Sequence, residues 1–227
     1  MERAERGPRA PATTRLQTIM FAGPSGALEG LVLEHEAHDH TLVAVVCHPH
    51  PLYGGTLHNK VVHRVASVLH GLGGAVMRFN FRGTGASDGR FDGGDGELED
   101  ARAALVWLRA RYPAARRWVA GFSFGAWVAA RLAASEPEVE RVILVAPPVA
   151  TEDFSIMRQA AVPKLVLQGT ADDVCTPAAL EQAFPDWAEP KTLLQVEGAT
   201  HFFDKRLGAL ADALHQALAG PSQGGTS

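Results

Sequence analysis

The chain has 227 residues and a formal net charge of −4, and 46% of its residues are hydrophobic. This length suits one large domain better than two small ones, and the hydrophobic fraction can build a substantial core. The acidic balance argues against a nucleic-acid-binding protein, which usually carries a basic excess or a basic stripe. Two cysteines, Cys47 and Cys175, are too few for a disulfide framework.

The two ends of the chain differ in composition from the middle. Residues 1–14 and 220–227 are rich in Pro, Gly, Ala or Ser, and we predict disordered tails around a single domain of residues 15–219. No segment approaches the roughly eighteen consecutive apolar residues that a membrane span needs. The start of the chain lacks the apolar region of a secretory signal. We therefore expect a cytoplasmic protein without a membrane partner.

Apolar runs of strand length alternate along the chain with longer stretches of helical period. Residues 16–21 and 28–36 have no helix between them, which predicts an antiparallel hairpin at one edge of a sheet. Further strands are predicted at residues 42–47, 75–79, 118–120, 142–145, 164–167 and 193–196. Several of these runs are apolar on consecutive residues, as in strands of a parallel sheet that is covered on both faces.

The helical stretches lie between the predicted strands. A stripe of apolar residues at steps of three and four predicts the first long one: Leu98, Ala101, Leu105, Leu108 and Tyr112. Residues 126–134 predict another helix, and Thr176-Pro177 is typical of an N-cap followed by proline at the first helical position. The alternation predicts an α/β protein with a doubly wound, mostly parallel sheet.

Ser123 lies at the centre of the motif Gly-Phe-Ser-Phe-Gly, between the strand at 118–120 and the helix from Ala126. A tight turn from strand to helix needs small residues on both sides of the serine, and it lifts the hydroxyl above the carboxyl end of the sheet. The helix N-terminus then directs backbone amides at a developing oxyanion. The motif predicts a nucleophilic serine, and the alternative is a Gly-rich turn whose serine caps the helix.

A nucleophilic serine needs a base and an acid that orients the base. Asp172 follows the strand at 164–167, and His201 follows the strand at 193–196. Apart from His215 in the last helix, His201 is the only histidine after Ser123. Its alternative role is a helix N-cap. Asp173 is adjacent to Asp172, and spacing alone leaves the choice of acid open.

Four blocks of sequence, in order, resemble small, lidless bacterial α/β-hydrolases related to dienelactone hydrolases. The blocks are CHPHPLYGGTLHNK (47–60), RFNFRGTGASDG (78–89), GFSFGAW (121–127) and GATHFF (198–203). The resemblance spans residues 17–217 and implies an α/β-hydrolase fold with Ser123, Asp172 and His201 as the catalytic triad. It favours Asp172 because that residue is the third after Gly169. Dienelactone hydrolase uses a cysteine nucleophile, so its activity is not carried over to this chain.

The loop at residues 48–55 corresponds in the resemblance to the one that supplies an oxyanion-hole amide. Pro49 and Pro51 have no N–H, so His50 is the predicted donor and Leu52 the alternative. The other donor is the amide of Phe124. A metal site at His48, His50 and His58 would lack a matching carboxylate or cysteine cluster, so no metal and no cofactor are expected.

Only residues 147–163 separate the strands at 142–145 and 164–167, which leaves no room for a cap domain. We therefore predict an open cleft bordered by aromatic side chains, with Tyr53, Phe154 and Phe202 as substrate contacts. The predicted function is hydrolysis of small carboxylic esters, the partner being a small-molecule substrate, through an acyl-enzyme. Thioesterase, acyltransferase, serine peptidase and a non-catalytic binding module are the alternatives.

Overall fold

An eight-stranded β-sheet forms the centre of the protein. The computed structural model describes residues 13–36 and 40–219. The strands are β1 (Thr14–Gly23), β2 (Gly26–His35), β3 (Leu42–Cys47), β4 (Ala75–Phe79), β5 (Arg116–Phe122), β6 (Val139–Val145), β7 (Lys164–Gly169) and β8 (Lys191–Val196). The helices are α1 (Lys60–Gly71), α2 (Asp95–Arg111), α3 (Phe124–Ser135), α4 (Pro177–Ala183) and α5 (Leu207–Leu218). Most of the predicted tails, residues 1–12 and 220–227, lies outside the described residues.

The strands lie in the order β1-β2-β4-β3-β5-β6-β7-β8. β1 and β2 form an antiparallel hairpin, β2 pairs antiparallel with β4, and β3 to β8 are parallel to one another. The predicted edge hairpin and the mostly parallel, doubly wound sheet are therefore confirmed. The winding direction reverses between β3 and β5. Loops that follow these two strands diverge there and leave a crevice at the carboxyl edge of the sheet.

Helices cover both faces of the sheet. α2 and α3 pack on one face against Val43 and Val45, while α1 and α5 pack on the other against Ala44 and Val46. Successive side chains of a strand point to opposite faces, so every residue of β3 is buried. This explains the unbroken apolar run at 42–47. No helix among the described residues is long and apolar enough to span a membrane.

α2 begins earlier than its apolar stripe. Gly94 has φ 113° and turns the chain, and its amide donates to the Glu97 carboxylate at 2.7 Å, which starts the helix at Asp95. Tyr112, the last residue of the predicted stripe, lies just past the helix end and bonds instead to the Glu34 carboxylate. β5 begins two residues before the predicted strand, because Arg116 and Arg117 pair with Leu42 and Val43 of β3.

The connection from β6 to β7 is short, as predicted. Its only helical segment is one 3-10 turn, Ser155–Arg158. A cap domain has no place in this connection. The carboxyl edge of the sheet is consequently bordered by loops alone.

Candidate active site

The turn from β5 into α3 holds Ser123 in a left-handed conformation, with φ 54° and ψ −124°. The surrounding backbone packs too closely for side chains on either side. A Cβ on Gly121 would lie 2.0 Å from the Gly125 carbonyl oxygen, and one on Gly125 would lie 2.4 Å from the Cys47 carbonyl oxygen. The Ser123 amide donates to the Val145 carbonyl at 2.9 Å. The turn thus has the strand-turn-helix form of a nucleophile elbow.

Two consecutive hydrogen bonds join Ser123, His201 and Asp172. His201 Nε2 lies 3.1 Å from Ser123 Oγ, and His201 Nδ1 lies 2.9 Å from Asp172 Oδ2. The three side chains follow β5, β8 and β7, whose carboxyl ends meet at one edge of the sheet. Phe122 and Phe202 pack beside the His201 ring, with ring centroids 4.9 and 5.1 Å away.

The alternative roles of Ser123 and His201 concern helix capping, and Ser123 does occupy the N-cap position of α3. The Ser123 side chain makes no capping hydrogen bond to α3. The residue that caps α5 is Arg206, and His201 lies in the turn before it. Neither side chain makes a capping hydrogen bond, and the two lie within hydrogen-bond distance of each other.

The Asp172 carboxylate is buried and surrounded by donors. Its Oδ1 accepts from the amides of Val174 and Cys175 at 2.9 and 2.8 Å, and its Oδ2 accepts from Gln168 Nε2 at 3.2 Å as well as from His201. Such donors stabilise a carboxylate in its charged form and fix its orientation. Asp173 is exposed and does not contact His201. Of the two adjacent aspartates, Asp172 is therefore the one that hydrogen-bonds to His201.

His48 anchors the loop that follows β3. The Phe81 amide can only donate, so His48 Nε2 accepts from it at 3.0 Å, and Nδ1–H donates to the Pro49 carbonyl at 2.6 Å. Burial lowers the pKa of the His48 imidazole to about 4. The ring is therefore neutral, with both nitrogens engaged. Within residues 13–36 and 40–219 no group of three or more His, Cys, Asp or Glu side chains could hold a metal ion.

The amides of Phe124 and His50 are available as donors beside Ser123. Neither amide donates to another of the described residues. The Leu52 amide, the alternative donor, is already bonded to His50 Nδ1 at 3.2 Å. The His50 ring also packs between aromatic neighbours, 4.8 Å from the Phe91 ring and 4.9 Å from the Phe124 ring. This geometry favours His50 over Leu52.

A cavity of about 310 Å³ opens beside Ser123. Its walls are formed by the loop after β3, the start of α3, the loop after β6 and the segment that leads into α4. The residues that line it are His50, Tyr53, Phe124, Pro148, Val149, Ala150, Thr151, Glu152, Val174, Cys175, Thr176 and Ala179. Tyr53, one of the predicted substrate contacts, is 87% exposed and lines this cavity. The cavity is mostly apolar, as small-molecule sites usually are.

Phe154 and Phe202, the other two predicted contacts, do not line this cavity. Phe154 is buried and stacks on Trp187, with ring centroids 5.5 Å apart, because the loop after β6 folds its aromatic side chain inward. Phe202 packs against Phe122 and His201 on another side of the imidazole. The next residue, Phe203, is fully buried.

Among the residues of the cavity wall that sequence reasoning missed, two have titratable side chains. Cys175 contacts the Ser123 hydroxyl, and burial raises the pKa of its thiol to about 12, so the thiol stays protonated. Glu152 brings a carboxylate into the wall. Neither residue belongs to a motif, and the loops that bring them to Ser123 have no period from which their position could be predicted.

Comparison with known proteins gives a consistent result. The model of the Hydrolase_4 family, described as serine aminopeptidase, S33, matches residues 42–161. The structure of a serine hydrolase without a lid from Xanthomonas campestris is 38% identical, covers 96% of this chain and 100% of its own, and has a TM-score of 0.84.

Two further proteins are similar over most of their length. An α/β serine hydrolase homologue from Coxiella burnetii is 38% identical, with a TM-score of 0.86 over 92% of this chain and 100% of its own. An uncharacterized protein of Rickettsia prowazekii is 36% identical over 209 residues, which are 88% of this chain and 87% of the relative.

The fold, the short β6–β7 connection and these similarities define the class, which is that of the α/β serine hydrolases without a lid. Within it, the family match extends over more than half of the chain, and the chain belongs to the Hydrolase_4 family. The resemblance found in the four sequence blocks is therefore confirmed at the level of fold and family.

Acid should destabilise the protein through His48. The ring takes up a proton near its ordinary pKa of 6.5 in the unfolded chain but only near 4 in the folded protein. Between these values the unfolded state binds more protons, so stability is fully present above pH 6.5 and falls as the pH decreases. The shift corresponds to a loss of about 3 kcal/mol near pH 4.

Urea unfolding at pH 7, 5.5 and 4 measures this loss. The matched variant is His48→Gln, which keeps an oxygen to accept the Phe81 N–H but does not titrate. We expect it to be less stable than wild type at pH 7 and to lose clearly less stability on acidification. Equal losses in the two proteins would contradict the assignment to His48.

Proposed function

We propose that the protein hydrolyses small carboxylic esters through an acyl-enzyme on Ser123. The observation that carries the proposal is the pair of hydrogen bonds from Ser123 Oγ to His201 and from His201 to Asp172, at 3.1 and 2.9 Å. A serine becomes a useful nucleophile when a base within this distance removes its proton and a carboxylate orients that base.

In the first half of the reaction, Ser123 Oγ attacks the ester carbonyl carbon and its proton moves to His201 Nε2. Asp172 stabilises the imidazolium that forms. The amides of Phe124 and His50 donate to the oxyanion, and one such donor typically contributes about 3 kcal/mol. The intermediate collapses, the bond to the alcohol oxygen breaks, and His201 returns the proton to the leaving alcohol.

In the second half, a water molecule takes the place of the alcohol. His201 removes a proton from the water as it attacks the acyl carbon, and the proton then passes to Ser123 as the acyl bond breaks. The same amides stabilise the second oxyanion. A loop-bordered cleft without a cap gives water direct access, which favours hydrolysis over transfer to another acceptor. A volume of about 310 Å³ suits a small substrate.

Amide hydrolysis is a second candidate, because the family that matches this chain is described as serine aminopeptidase. The same attack on Ser123 would apply, with His201 protonating a leaving amine instead of an alcohol. Measuring kcat/KM for p-nitroanilides and p-nitrophenyl esters with the same acyl group separates the two candidates. We expect turnover of the esters and little turnover of the anilides.

Replacing the nucleophile tests the proposal directly. We expect wild-type protein to react with a fluorophosphonate probe and to hydrolyse p-nitrophenyl butyrate. Ser123→Ala should not react with the probe and should lose at least about ten-thousandfold in kcat. Circular dichroism and the melting temperature serve as folding controls. Wild-type protein that neither reacts with the probe nor cleaves short-chain esters would refute the proposal.

The two adjacent aspartates provide a matched pair of variants. Asp172→Asn should lower kcat by about ten-thousandfold, because the amide cannot favour the tautomer and charge that His201 needs. Asp173→Asn removes the same charge from an exposed side chain and should leave kcat within about twofold. Steady-state kinetics on one ester measures both, and the opposite ranking would show that Asp173 is the acid.

The amide of His50 can be removed without a large change of backbone. Residue 50 has φ −52°, which proline can adopt. His50→Pro loses both the N–H and the imidazole, whereas His50→Ala loses only the imidazole. We expect kcat of the proline variant to be about a hundredfold below that of the alanine variant. Equal kcat values in two variants of similar melting temperature would exclude this amide from the oxyanion hole.

A further inference from the structure

One ionisable carboxylate lines the cavity beside Ser123, that of Glu152. Glu152 lies in the loop after β6, and it also borders a smaller groove of about 180 Å³ that includes Phe154 and Trp187. Glu152 therefore borders both the cavity beside Ser123 and the adjoining groove.

The Glu152 carboxylate has no polar partner of its own. Among residues 13–36 and 40–219, none donates a hydrogen bond to it or forms an ion pair with it. Within the described part of the chain, the cation whose charge affects Glu152 is Arg131, and its guanidinium already bonds to Asp95 at 2.6 Å and to the Gly94 carbonyl at 3.2 Å. Burial raises the pKa of Glu152, against the opposing effect of Arg131. Because burying a carboxylate without a partner is unfavourable, a cationic group of a ligand that paired with Glu152 would offset this cost.

The loop that carries Glu152 is held on both sides. On the α3 side, Trp127 Nε1 donates to the Asp153 carbonyl at 3.0 Å. The Asp153 side chain closes a turn by accepting from the Ser155 amide at 2.8 Å. On the other side, Phe154 stacks on Trp187 with an interplanar angle of 12°. These contacts hold the segment that carries Glu152 beside the cavity.

The rest of the wall complements a positive charge. No lysine or arginine among the described residues lines the cavity, and burial lowers the pKa of the His50 ring, which favours its neutral form. Tyr53, which is 87% exposed, brings an aromatic ring to the wall, and the face of a Tyr ring attracts quaternary ammonium groups. A neutral ester would fill the cavity and leave the carboxylate without a partner.

We propose that Glu152 is a specificity-determining residue that selects esters bearing a cationic substituent, such as a quaternary ammonium or a protonated amine. The proposal rests on the hydrolase function proposed for Ser123 and names the substrate class of that site. The carboxylate pairs with the cation in the bound substrate and discriminates against anionic substrates by repulsion.

Two pairs of isosteric esters test this proposal, each differing only in an ammonium nitrogen in place of a carbon. Butyrylcholine and 3,3-dimethylbutyl butyrate place the charge on the alcohol side. The p-nitrophenyl esters of 4-(trimethylammonio)butanoate and 5,5-dimethylhexanoate place it on the acyl side. The quantity measured is the ratio of kcat/KM for the charged ester to that for the neutral ester.

We expect wild-type protein to prefer the charged ester about five- to tenfold in at least one pair. Glu152→Gln should bring that ratio close to one, chiefly through a lower kcat/KM for the charged ester. Asp173→Asn is the matched control, because it removes a nearby negative charge outside the cavity wall and should keep the preference.

A binding measurement tests the same charge preference without requiring turnover of these esters. Choline should slow the reaction of wild-type Ser123 with a fluorophosphonate more than 3,3-dimethylbutanol does, and Glu152→Gln should abolish the difference. Ratios near one in both ester pairs, or an unchanged preference in Glu152→Gln, would overturn the assignment of Glu152. Absence of both probe labelling and ester turnover in wild-type protein would instead overturn the hydrolase function, and the assignment with it.

Discussion

The close approach of backbone to backbone at the Ser123 turn is the constraint on which the site depends. A Cβ on Gly125 would collide with the carbonyl oxygens of Cys47 and His48, at 2.4 and 2.5 Å. The start of α3 therefore lies directly against the end of β3. This contact places the loop after β3, with the His50 amide, beside the turn that carries Ser123 and the Phe124 amide. One packing constraint thus positions the nucleophile and both proposed oxyanion donors.

The polar groups around this turn are held by neutral or main-chain partners. The amides of Val174 and Cys175 hold Asp172, and the Phe81 amide holds a neutral His48. Main-chain amides of a packed core need little reorganisation when charge develops, which is the requirement for electrostatic stabilisation of a transition state. A buried charge without such donors would be strongly destabilising. The stability of the fold and the proposed chemistry therefore depend on the same hydrogen bonds.

The sequence predicts those features that follow from periodicity or from glycine. β3 and β4 have the predicted bounds because both of their faces are buried, and the Ser123 turn follows from glycines that no other residue can replace. The choice of Asp172 over Asp173 depends on where two amides of the next loop point, which spacing does not encode. Phe154, a predicted substrate contact, is buried and does not line the cavity beside Ser123, because its direction depends on stacking with Trp187, more than thirty positions away. Glu152 carries no motif at all.

A hydrolase without a lid must select its substrate by the walls of an open cleft. A lid can enclose a substrate and contact its whole surface, whereas the wall of an open cleft contacts only part of the substrate. Charge compensates for this, because an electrostatic interaction extends beyond van der Waals contact and strengthens where the protein excludes water. The connection from β6 to β7 is too short for a cap, yet Trp127 and Trp187 hold it rigidly beside Ser123. The proposed charge selectivity of Glu152 is thus a means of discriminating between substrates that does not require a lid.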